Sequence, residues 1–351
     1  MRNALFPAGL LLALGVSNLH AQTQSSLLVL SKHDHTISVV DPSTLQVTAK
    51  VPVGNDPHEV IASTDGTTAY VSNYGFGAYN TLTVVDLITS KSLGTIDLGA
   101  LRGPHGLAFM DGKVWFTSEV AKSVGRYDPV THKIDLILGT GQNRIHMIYV
   151  SADTQHVVAT NVNSGTVSLI DKEVVQTPQG PPPDAPNGSG GPPPPPGPPM
   201  PRTDWNETVV PVGHGSEGFD VSPDRKEIWV ANAQDGTVSI IDYASKKVVQ
   251  TLTANVSRAN RLKFTPDGKR VLISAGPDLV ILDAATRAEI KRLPIGHGGG
   301  GVLVQPDGAR AFVSCSPDNY VAVIDLHTLE VVGHLQAGGE PDGLAWAIRS
   351  R

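Results

Sequence analysis

The sequence predicts an all-β protein, a seven-bladed β-propeller with four antiparallel strands in each blade. Three observations predict this fold: an internal repeat, four short apolar segments inside each repeat, and terminal segments that complement each other. The repeat has a period of about 42 residues, which is typical of propeller blades. The composition agrees, because 36 Gly and 27 Pro among 351 residues punctuate many short elements, and 40% hydrophobic residues supply a core.

The repeat is visible in apolar segments that end in aspartate, such as TISVVD and TVSIID. The aspartates that end these segments are Asp41, Asp86, Asp128, Asp171, Asp242, Asp283 and Asp325. The interval between Asp171 and Asp242 is longer than the others and contains a Pro/Gly-rich segment, residues 177–205. Such a composition cannot bury a core and favours extended polyproline conformers. We therefore predict a disordered insertion loop at 177–205 within blade four of a single domain, residues 22–351.

Four strands per repeat are seen most clearly in residues 217–254, where short apolar pieces alternate with Pro-Asp, Asp-Gly and Ser-Lys-Lys turns. Helical periodicity is absent from these pieces. The segment SLLVLS at 26–31 matches the second strand of a repeat, and PDGLAWAI at 341–348 matches the first. The two ends of the chain are therefore expected to complete one blade together, which closes the ring and removes free sheet edges.

The first 21 residues are typical of a secretory signal peptide. Arg2 precedes an apolar run from Leu5 to Val16, and the small residue Ala21 follows. That run is too short to span a bilayer, so no transmembrane anchor is expected. We predict cleavage after Ala21 and export to the periplasm or the cell surface. Cys315 is the only cysteine, which excludes an intramolecular disulfide even in that oxidising compartment.

Charge and missing motifs exclude several classes of function. The net charge is -6 and the pI is about 6.0, so no overall electrostatic attraction to nucleic acid is expected. The sequence contains no GxSxG, CxxC or HExxH motif. Serine hydrolase, thiol redox, structural zinc-cluster and metalloprotease functions are thereby disfavoured. We expect a monomer whose partner is a protein or a small anionic ligand.

Two stretches, PHEVIASTDGTTAYVSNYG and EGFDVSPDRKEIWVANAQDGTVSIID, resemble the YVTN-type β-propeller repeats of surface-layer and periplasmic proteins. The resemblance covers the predicted mature chain apart from the insertion. The third repeat, PHGLAFMDGKVWFTSEVAKSVGRYD, is also similar to repeats of streptogramin lyase-type propellers. These resemblances imply the propeller fold. They do not select one activity, because propellers of this kind include lactonases, lyases, haem-containing domains and binding scaffolds.

Equivalent positions at the start of each first strand should meet around the central channel. Alignment of the repeats makes the following residues equivalent: His58, His105, His146, Glu217, Asn260, Gly300 and Asp342. Histidines on three consecutive blades followed by Glu217 form an N,N,N,O set, which suits one divalent ion such as zinc, copper, iron or manganese. Two alternatives remain open: the histidines bond neighbouring blades in a wet channel, or they bind a ligand or transfer protons without a metal.

Charged residues stand two positions before this ring. They comprise Asp56, Arg144, Arg258 and Glu340, with Gly103 between them. Acidic and basic groups fall on different blades, and arginine offers a planar fork to carboxylate or phosphate. We therefore predict a small-ligand site that consists of the following residues: Arg144, Arg258, Asn260, Asp342 and Glu340. The alternative is mutual pairing of these arginines with carboxylates of neighbouring blades.

Two functions of different classes follow. The first is an exported propeller that acts as a binding scaffold for a protein or small ligand through the end of its channel. The second is a metal-dependent enzyme of lactonase or lyase type, in which His58, His105, His146 and Glu217 hold an ion that polarises a carbonyl or activates water. The regular repeats and the absence of a catalytic motif favour the first, and no catalytic residue is assigned.

Overall fold

The computed structural model describes residues 23–177 and 200–350, and most of these residues lie in β-strands. In chain order the strands are β1 (Thr23–Ser31), β2 (Thr36–Asp41), β3 (Gln46–Pro52), β4 (Pro57–Ala62), β5 (Thr68–Asn73), β6 (Thr81–Asp86), β7 (Lys91–Asp97), β8 (Pro104–Met110), β9 (Lys113–Ser118), β10 (Ser123–Asp128), β11 (Lys133–Gly139), β12 (Ile145–Val150), β13 (His156–Asn161), β14 (Thr166–Thr177), β15 (Met200–Pro211), β16 (Ser216–Val221), β17 (Glu227–Asn232), β18 (Thr237–Asp242), β19 (Lys247–Thr253), β20 (Ala259–Phe264), β21 (Arg270–Ala275), β22 (Asp278–Asp283), β23 (Glu289–Pro294), β24 (Gly299–Val304), β25 (Arg310–Cys315), β26 (Tyr320–Asp325), β27 (Glu330–Leu335) and β28 (Pro341–Ser350). Two short 3-10 turns, Gly75–Gly77 and Ser316–Asp318, are the helical elements of these ranges. None of the helices in the described part of the chain has the length and hydrophobicity needed to cross a membrane.

The strands form seven four-stranded antiparallel sheets, the blades of a β-propeller. Blade one consists of β28, β1, β2 and β3, and blades two to seven each take the next four strands in order. The first strand of each blade is innermost, and each inner strand contacts the inner strand of the next blade. The ring closes where β28 pairs with β1 and contacts both β4 and β24. The predicted seven-bladed fold is confirmed, including the blade shared by the two ends of the chain.

The core lies between adjacent blades. Second strands are buried almost throughout, because both faces contact a neighbouring blade, whereas outer strands such as β11 alternate between half-buried and exposed residues. Leu28, Val60 and Ala345 belong to the cluster that joins blades one and two. Trp115 and Trp229, in the second strands of blades three and five, are completely buried. Apolar contact between blades therefore supplies the main stabilisation of the ring.

The long hairpin of blade four departs from the loop predicted at 177–205. Residues Met200–Trp205 continue β15 and pair with the end of β14, down to Thr177 opposite Met200. Trp205 packs edge-to-face against the buried Trp115, with ring centroids 6.3 Å apart, which gives this extension an anchor on blade three. Residues 178–199, and the predicted signal peptide at 1–21, lie outside the described residues.

Every inner strand carries an irregularity near its start, where its register with the second strand shifts. A bulge leaves residues unpaired and bends the strand locally. In six blades the residue just before the inner strand has a left-handed φ. These residues are Asp56, Gly103, Arg144, Gly215, Arg258 and Glu340. The chain thus turns sharply into each inner strand, and the first residues of that strand lie around one end of the channel, called here the channel mouth.

Candidate functional site

The second residue of each inner strand forms a ring at the channel mouth. Its members are the seven aligned residues His58, His105, His146, Glu217, Asn260, Gly300 and Asp342. Gly106, which follows one of them, shows how closely the inner strands approach each other: a Cβ at Gly106 would lie 2.5 Å from the carbonyl oxygen of His146. The spacing between blades at this level is therefore set by backbone contact.

The three histidines of the ring form a continuous stack across blades two, three and four. The rings of His58 and His105 meet edge-on with centroids 4.3 Å apart, and those of His105 and His146 lie 3.7 Å apart. His105 and His146 are buried, while the side chain of His58 is 14% exposed. These ring contacts place side by side the three histidines that the repeat spacing aligns.

A second ring consists of the residues that directly follow the second strands. Its members are Lys32, Tyr74, Glu119, Val162, Ala233, Gly276 and Ser316. The backbone N–H groups of Tyr74 and Glu119 donate to the carbonyl groups that precede the inner strands of the same blades. Sequence reasoning missed Tyr74 and Glu119. Alignment of the residue after each second strand would have found them, because the first three blades carry large polar side chains there and the next three do not.

His105, Glu119 and His146 form a group that could hold a metal ion. One ligand atom of each lies within 4.8 Å of the ligand atoms of the other two. Among the described residues, no other three His, Cys, Asp or Glu side chains lie this close together. Ligands bound to one ion at about 2.0–2.1 Å are at most about 4.2 Å apart, so only small side-chain movements separate this arrangement from coordination. Two imidazoles and a carboxylate suit zinc and other divalent transition metals.

The other two expected ligands flank this group. His58 Nδ1 lies 3.1 Å from Asp342 Oδ2, which in turn lies 2.6 Å from Lys32 Nζ. Glu217 Oε1 lies 3.6 Å from His146 Nε2 on the opposite side. The structure thus brings all four predicted ligands to the channel mouth, but it draws His58 towards Asp342.

Hydrogen bonds and ion pairs orient Glu119. The hydroxyl of Tyr74 donates to Glu119 Oε2 at 2.5 Å. Arg144 lies 3.6 Å from Glu119 Oε1 through Nε and 3.6 Å from Glu217 Oε1 through a terminal nitrogen. Arg144, predicted to bind a ligand anion, is therefore already paired with carboxylates of its neighbouring blades.

An ion pair crosses the channel beneath the histidines. The guanidinium of Arg261, from blade six, contacts the carboxylate of Glu59, from blade two, and both side chains are almost fully buried. These residues are the third residues of their inner strands, where blades three, five, seven and one carry glycine. The pair therefore links the inner strands of two blades that are not neighbours in the ring.

Burial controls the ionisation of the site. Desolvation lowers the pKa of His58 to about 4 and lowers the pKa values of His105 and His146 well below the usual histidine value. Desolvation also raises the pKa of Glu119, and it raises the pKa of Tyr74 together with the adjacent Glu119 carboxylate. The imidazoles are neutral at neutral pH, which is the form that binds a metal.

The remaining predicted ligand-binding residues occupy different environments. The backbone carbonyl and side-chain oxygen of Asn260 accept hydrogen bonds from Arg261 at 3.1 and 3.0 Å. Asp342 is buried beside Lys32. Arg258 and Glu340 are exposed at the rim, and neither has an ion pair within the described ranges. Among the residues predicted to bind a small ligand, Arg258 and Glu340 are therefore the ones whose charged groups face solvent.

The fold and the site together define a class: a seven-bladed propeller with a buried histidine–glutamate group at its channel mouth. No protein-family model matches the sequence, and a search of curated proteins finds no match.

Solved structures share the fold. A protein of unknown function from Desulfotomaculum acetoxidans superposes with a TM-score of 0.70 at 13% identity, over 92% of this chain and 98% of its own. A candidate 6-phosphogluconolactonase from Bacteroides uniformis gives a TM-score of 0.67 at 15% identity, over 92% of this chain and 99% of its own. A second candidate 6-phosphogluconolactonase, from Bacteroides fragilis, gives a TM-score of 0.67 at 15% identity, over 94% of this chain and 99% of its own. At these identities the likeness shows the propeller fold alone.

Proposed function

We propose that the protein is a metal-dependent enzyme of lactonase or lyase type with its active site at the channel mouth. The observation that carries the proposal is the buried group of His105, Glu119 and His146. Both ring nitrogens of His105, Nδ1 of His146 and Oε1 of Glu119 are buried without a hydrogen-bond partner among the described residues. Buried polar atoms rarely lack a partner, so these atoms fit a divalent transition metal such as zinc, copper, iron or manganese.

The residues around this group suit chemistry at a carbonyl. A divalent ion would supply Lewis acidity toward a carbonyl oxygen or a water molecule. Tyr74 fixes one oxygen of Glu119 by its hydrogen bond, as outer partners of metal ligands do. Glu217, beside His146, is placed to accept a proton from water or from a substrate carbon. Lactone hydrolysis and lyase elimination both need a polarised carbonyl and a nearby base. The lactonase-like fold of two structural neighbours agrees with this class.

A small anionic ligand remains part of the proposal. Arg144 is paired with two carboxylates, whereas Arg258 is exposed at the rim of blade six without an ion pair in the described ranges. We assign Arg258 the role of contacting a carboxylate or phosphate of the substrate. Neither the overall charge of -6 nor the buried site suits nucleic acid.

Metal content tests the proposal directly. The chain from Gln22 onwards, purified without chelators or a histidine tag, should contain about one equivalent of a transition metal by elemental analysis, as a single site implies. Zinc titrated into the metal-free protein should bind at one site by calorimetry. His105→Ala and Glu119→Gln should each weaken zinc binding by at least tenfold, in line with loss of a ligand. The exposed His327 provides a matched control, and His327→Ala should bind zinc normally.

Turnover tests the enzyme class separately. A panel of lactones and activated esters should be opened by the metal-loaded protein and not by Glu217→Gln, which removes the proposed base and keeps His105, Glu119 and His146. Absence of metal binding after dialysis against zinc, copper, iron and manganese would contradict the proposal.

A binding scaffold is the second candidate. It is favoured by the ion-pair contacts among charged groups of the channel mouth, as in the contacts of Asp342 with Lys32 and His58. Such a preorganised surface suits recognition of a protein or a small molecule without chemistry. A protein that binds no metal and opens no substrate, yet retains a partner from its own compartment, would support this function.

We also propose that the protein is exported to the periplasm or the cell surface. The support is the sequence of residues 1–21, with Arg2, an apolar run and Ala21. Cell fractionation followed by intact-mass analysis should find a chain that begins at Gln22. Recovery of the uncleaved chain from the cytoplasm would overturn this proposal.

A further inference from the structure

A groove of about 740 Å³ opens at the rim of the channel mouth. It is called here the rim groove, and its lining includes Lys32, Asp56, Phe76, Tyr79, Pro317 and Glu340. These residues come from blades one, two and seven. The volume is typical of sites that bind small organic molecules.

The ring of Tyr74 lies between the rim groove and the proposed active site. The ring of Tyr74 lies 5.6 Å from that of Phe76 in the groove and 5.0 Å from that of His105 in the metal group. Lys32 lines the groove and contacts Asp342, the partner of His58. One layer of side chains, Tyr74 and Asp342, therefore separates a molecule in the groove from His105 and His58.

The aromatic wall of the groove is exposed to solvent, and the backbone of the turn that carries it is strained. The side chain of Phe76 is 87% exposed, and its φ of 50° is left-handed, a conformation that bulky residues rarely adopt. The flanking Gly75 and Gly77 also have positive φ, and the N–H of Gly75 donates to Asp56 Oδ2 at 2.8 Å. Tyr79, 37% exposed, lies in the same wall. An exposed aromatic in a strained turn beside a cavity points to contact with a ligand.

The charge of the groove is negative. Lys32 is neutralised by Asp342, which leaves the carboxylates of Asp56 and Glu340 as the charged groups of the lining. Glu340 is exposed and has no ion pair within the described ranges, and His35 and Tyr79 are the remaining titratable residues of the lining. Aromatic faces combined with carboxylates are the chemistry that recognises an organic ammonium group.

We propose that the rim groove binds the ammonium end and the apolar body of an amine-bearing substrate, whose carbonyl group then reaches the histidine–glutamate group. As a statement about the substrate, this inference rests on the proposed function. Arg258, in blade six, lies on the far side of the channel mouth from Phe76 in blade two, so the two sites together suit a zwitterionic molecule.

Binding of 3-phenylpropylamine to the metal-free protein tests the groove independently of the metal. Calorimetry or ligand-observed NMR should show the amine binding at least tenfold more tightly than 3-phenylpropionate or 3-phenylpropanol. Phe76→Ala and Glu340→Gln should each weaken amine binding about five- to tenfold, as expected for loss of an aromatic or a charged contact. Val130→Ala and Glu330→Gln, at exposed positions outside the groove, are the matched controls and should leave binding unchanged.

His105→Ala separates the two hypotheses. It should weaken zinc binding by at least tenfold and leave the affinity for 3-phenylpropylamine unchanged. Equal or tighter binding of the propionate, no binding of the amine at millimolar concentration, or no effect of Phe76→Ala would overturn the groove proposal. Failure of zinc binding with intact amine binding would overturn the metal site alone.

Discussion

Burial shifts the pKa values of single side chains at the channel mouth away from their values in water. The three stacked histidines lie next to three carboxylates, those of Glu119, Glu217 and Asp342, and desolvation favours the neutral imidazole. The unfolded chain returns each histidine to water, where its pKa is about 6.5. The stability of the fold is therefore linked to pH through these residues.

Acidification should destabilise the metal-free protein through the histidine stack. A pKa lowered in the folded state means that the unfolded state binds more protons, so stability is complete above about pH 6.5 and falls as the pH drops toward the folded pKa. For His58 that window extends down to about pH 4. Each buried histidine contributes up to about 1.4 kcal/mol per pH unit. Urea unfolding at pH 7.5 and pH 5.5 measures the loss.

Substitution of single histidines tests whether the histidine stack causes this pH dependence of stability. His105→Gln should reduce the slope of unfolding free energy against pH below pH 6.5, because a proton-binding site disappears from the unfolded state. His327→Gln removes an exposed histidine and should retain the wild-type slope. An identical slope for His105→Gln and the wild type would contradict the assignment.

The ion pair between Glu59 and Arg261 should be costly to break. Glu59→Gln leaves a buried guanidinium without its main partner, which typically costs about 3–5 kcal/mol of unfolding free energy. The double variant Glu59→Leu with Arg261→Met should lose less than the sum of the single changes, since no charge is stranded. Chemical denaturation of the two single variants and the double variant measures these losses of unfolding free energy.

An exposed ion pair serves as the control. Lys226 and Asp224 are 78% and 55% exposed, so Lys226→Gln should change the unfolding free energy by less than about 1 kcal/mol. A loss for Glu59→Gln no larger than that for Lys226→Gln would show that the channel pair contributes little.

Inner strands act as units because glycine lets their backbones approach. A Cβ on Gly106 would lie 2.5 Å from the carbonyl oxygen of His146, and one on Gly218 would lie 2.6 Å from the Cα of Arg261. Backbone atoms cannot rotate away as a side chain can. The third position of most inner strands therefore requires glycine for packing between blades.

Gly106→Ala should destabilise the protein and disturb the site. The added methyl group must displace β12, which moves His146 relative to His105, so we expect a loss of about 2–3 kcal/mol, in the range of overpacking. Zinc affinity should fall as well. Gly139→Ala places its Cβ in open space with an ordinary φ and should be neutral. Thermal unfolding and zinc calorimetry on both variants give the comparison, and equal behaviour would contradict the argument.

The whole molecule depends on closure of the ring by blade one. Within blade one, β28 pairs with β1. Around the channel, β28 also contacts β4 and β24, the inner strands of the two adjacent blades. Loss of this strand exposes edges of β1 and opens the contacts on both sides. The long hairpin of blade four has a different status, because Thr177 and Met200 already face each other as the last pair of its ladder.

Two deletions should therefore differ sharply. A chain that ends at Glu340 lacks β28 and should lose its cooperative thermal transition, since the ring cannot close. A chain in which residues 178–199 are replaced by Asn-Gly retains the paired hairpin and should melt within a few degrees of the wild type, because Asn-Gly favours a tight turn. Calorimetry distinguishes them, and equal melting of both chains would refute the role given to ring closure.

Much of the fold could be predicted because a propeller repeats its local signals. The aspartate-ended strands and turn residues recur in each blade, and the complementary termini identify the shared blade without any contact information. The histidine ring could be predicted for the same reason, since His58, His105 and His146 occupy one position of the repeat. Glu119 was missed because it belongs to another position, the residue after the second strand.

The sequence alone determined the number of blades, the strand order and the ring of residues that meet at the channel mouth, because these follow from local patterning repeated at a fixed period. Only the tertiary structure decided which of them interact. It placed Glu119 beside His105, turned His58 towards Asp342, and paired Glu59 with Arg261 across the channel. These contacts join residues of different blades, and their choice depends on bulges, burial and side-chain reach that no single repeat encodes.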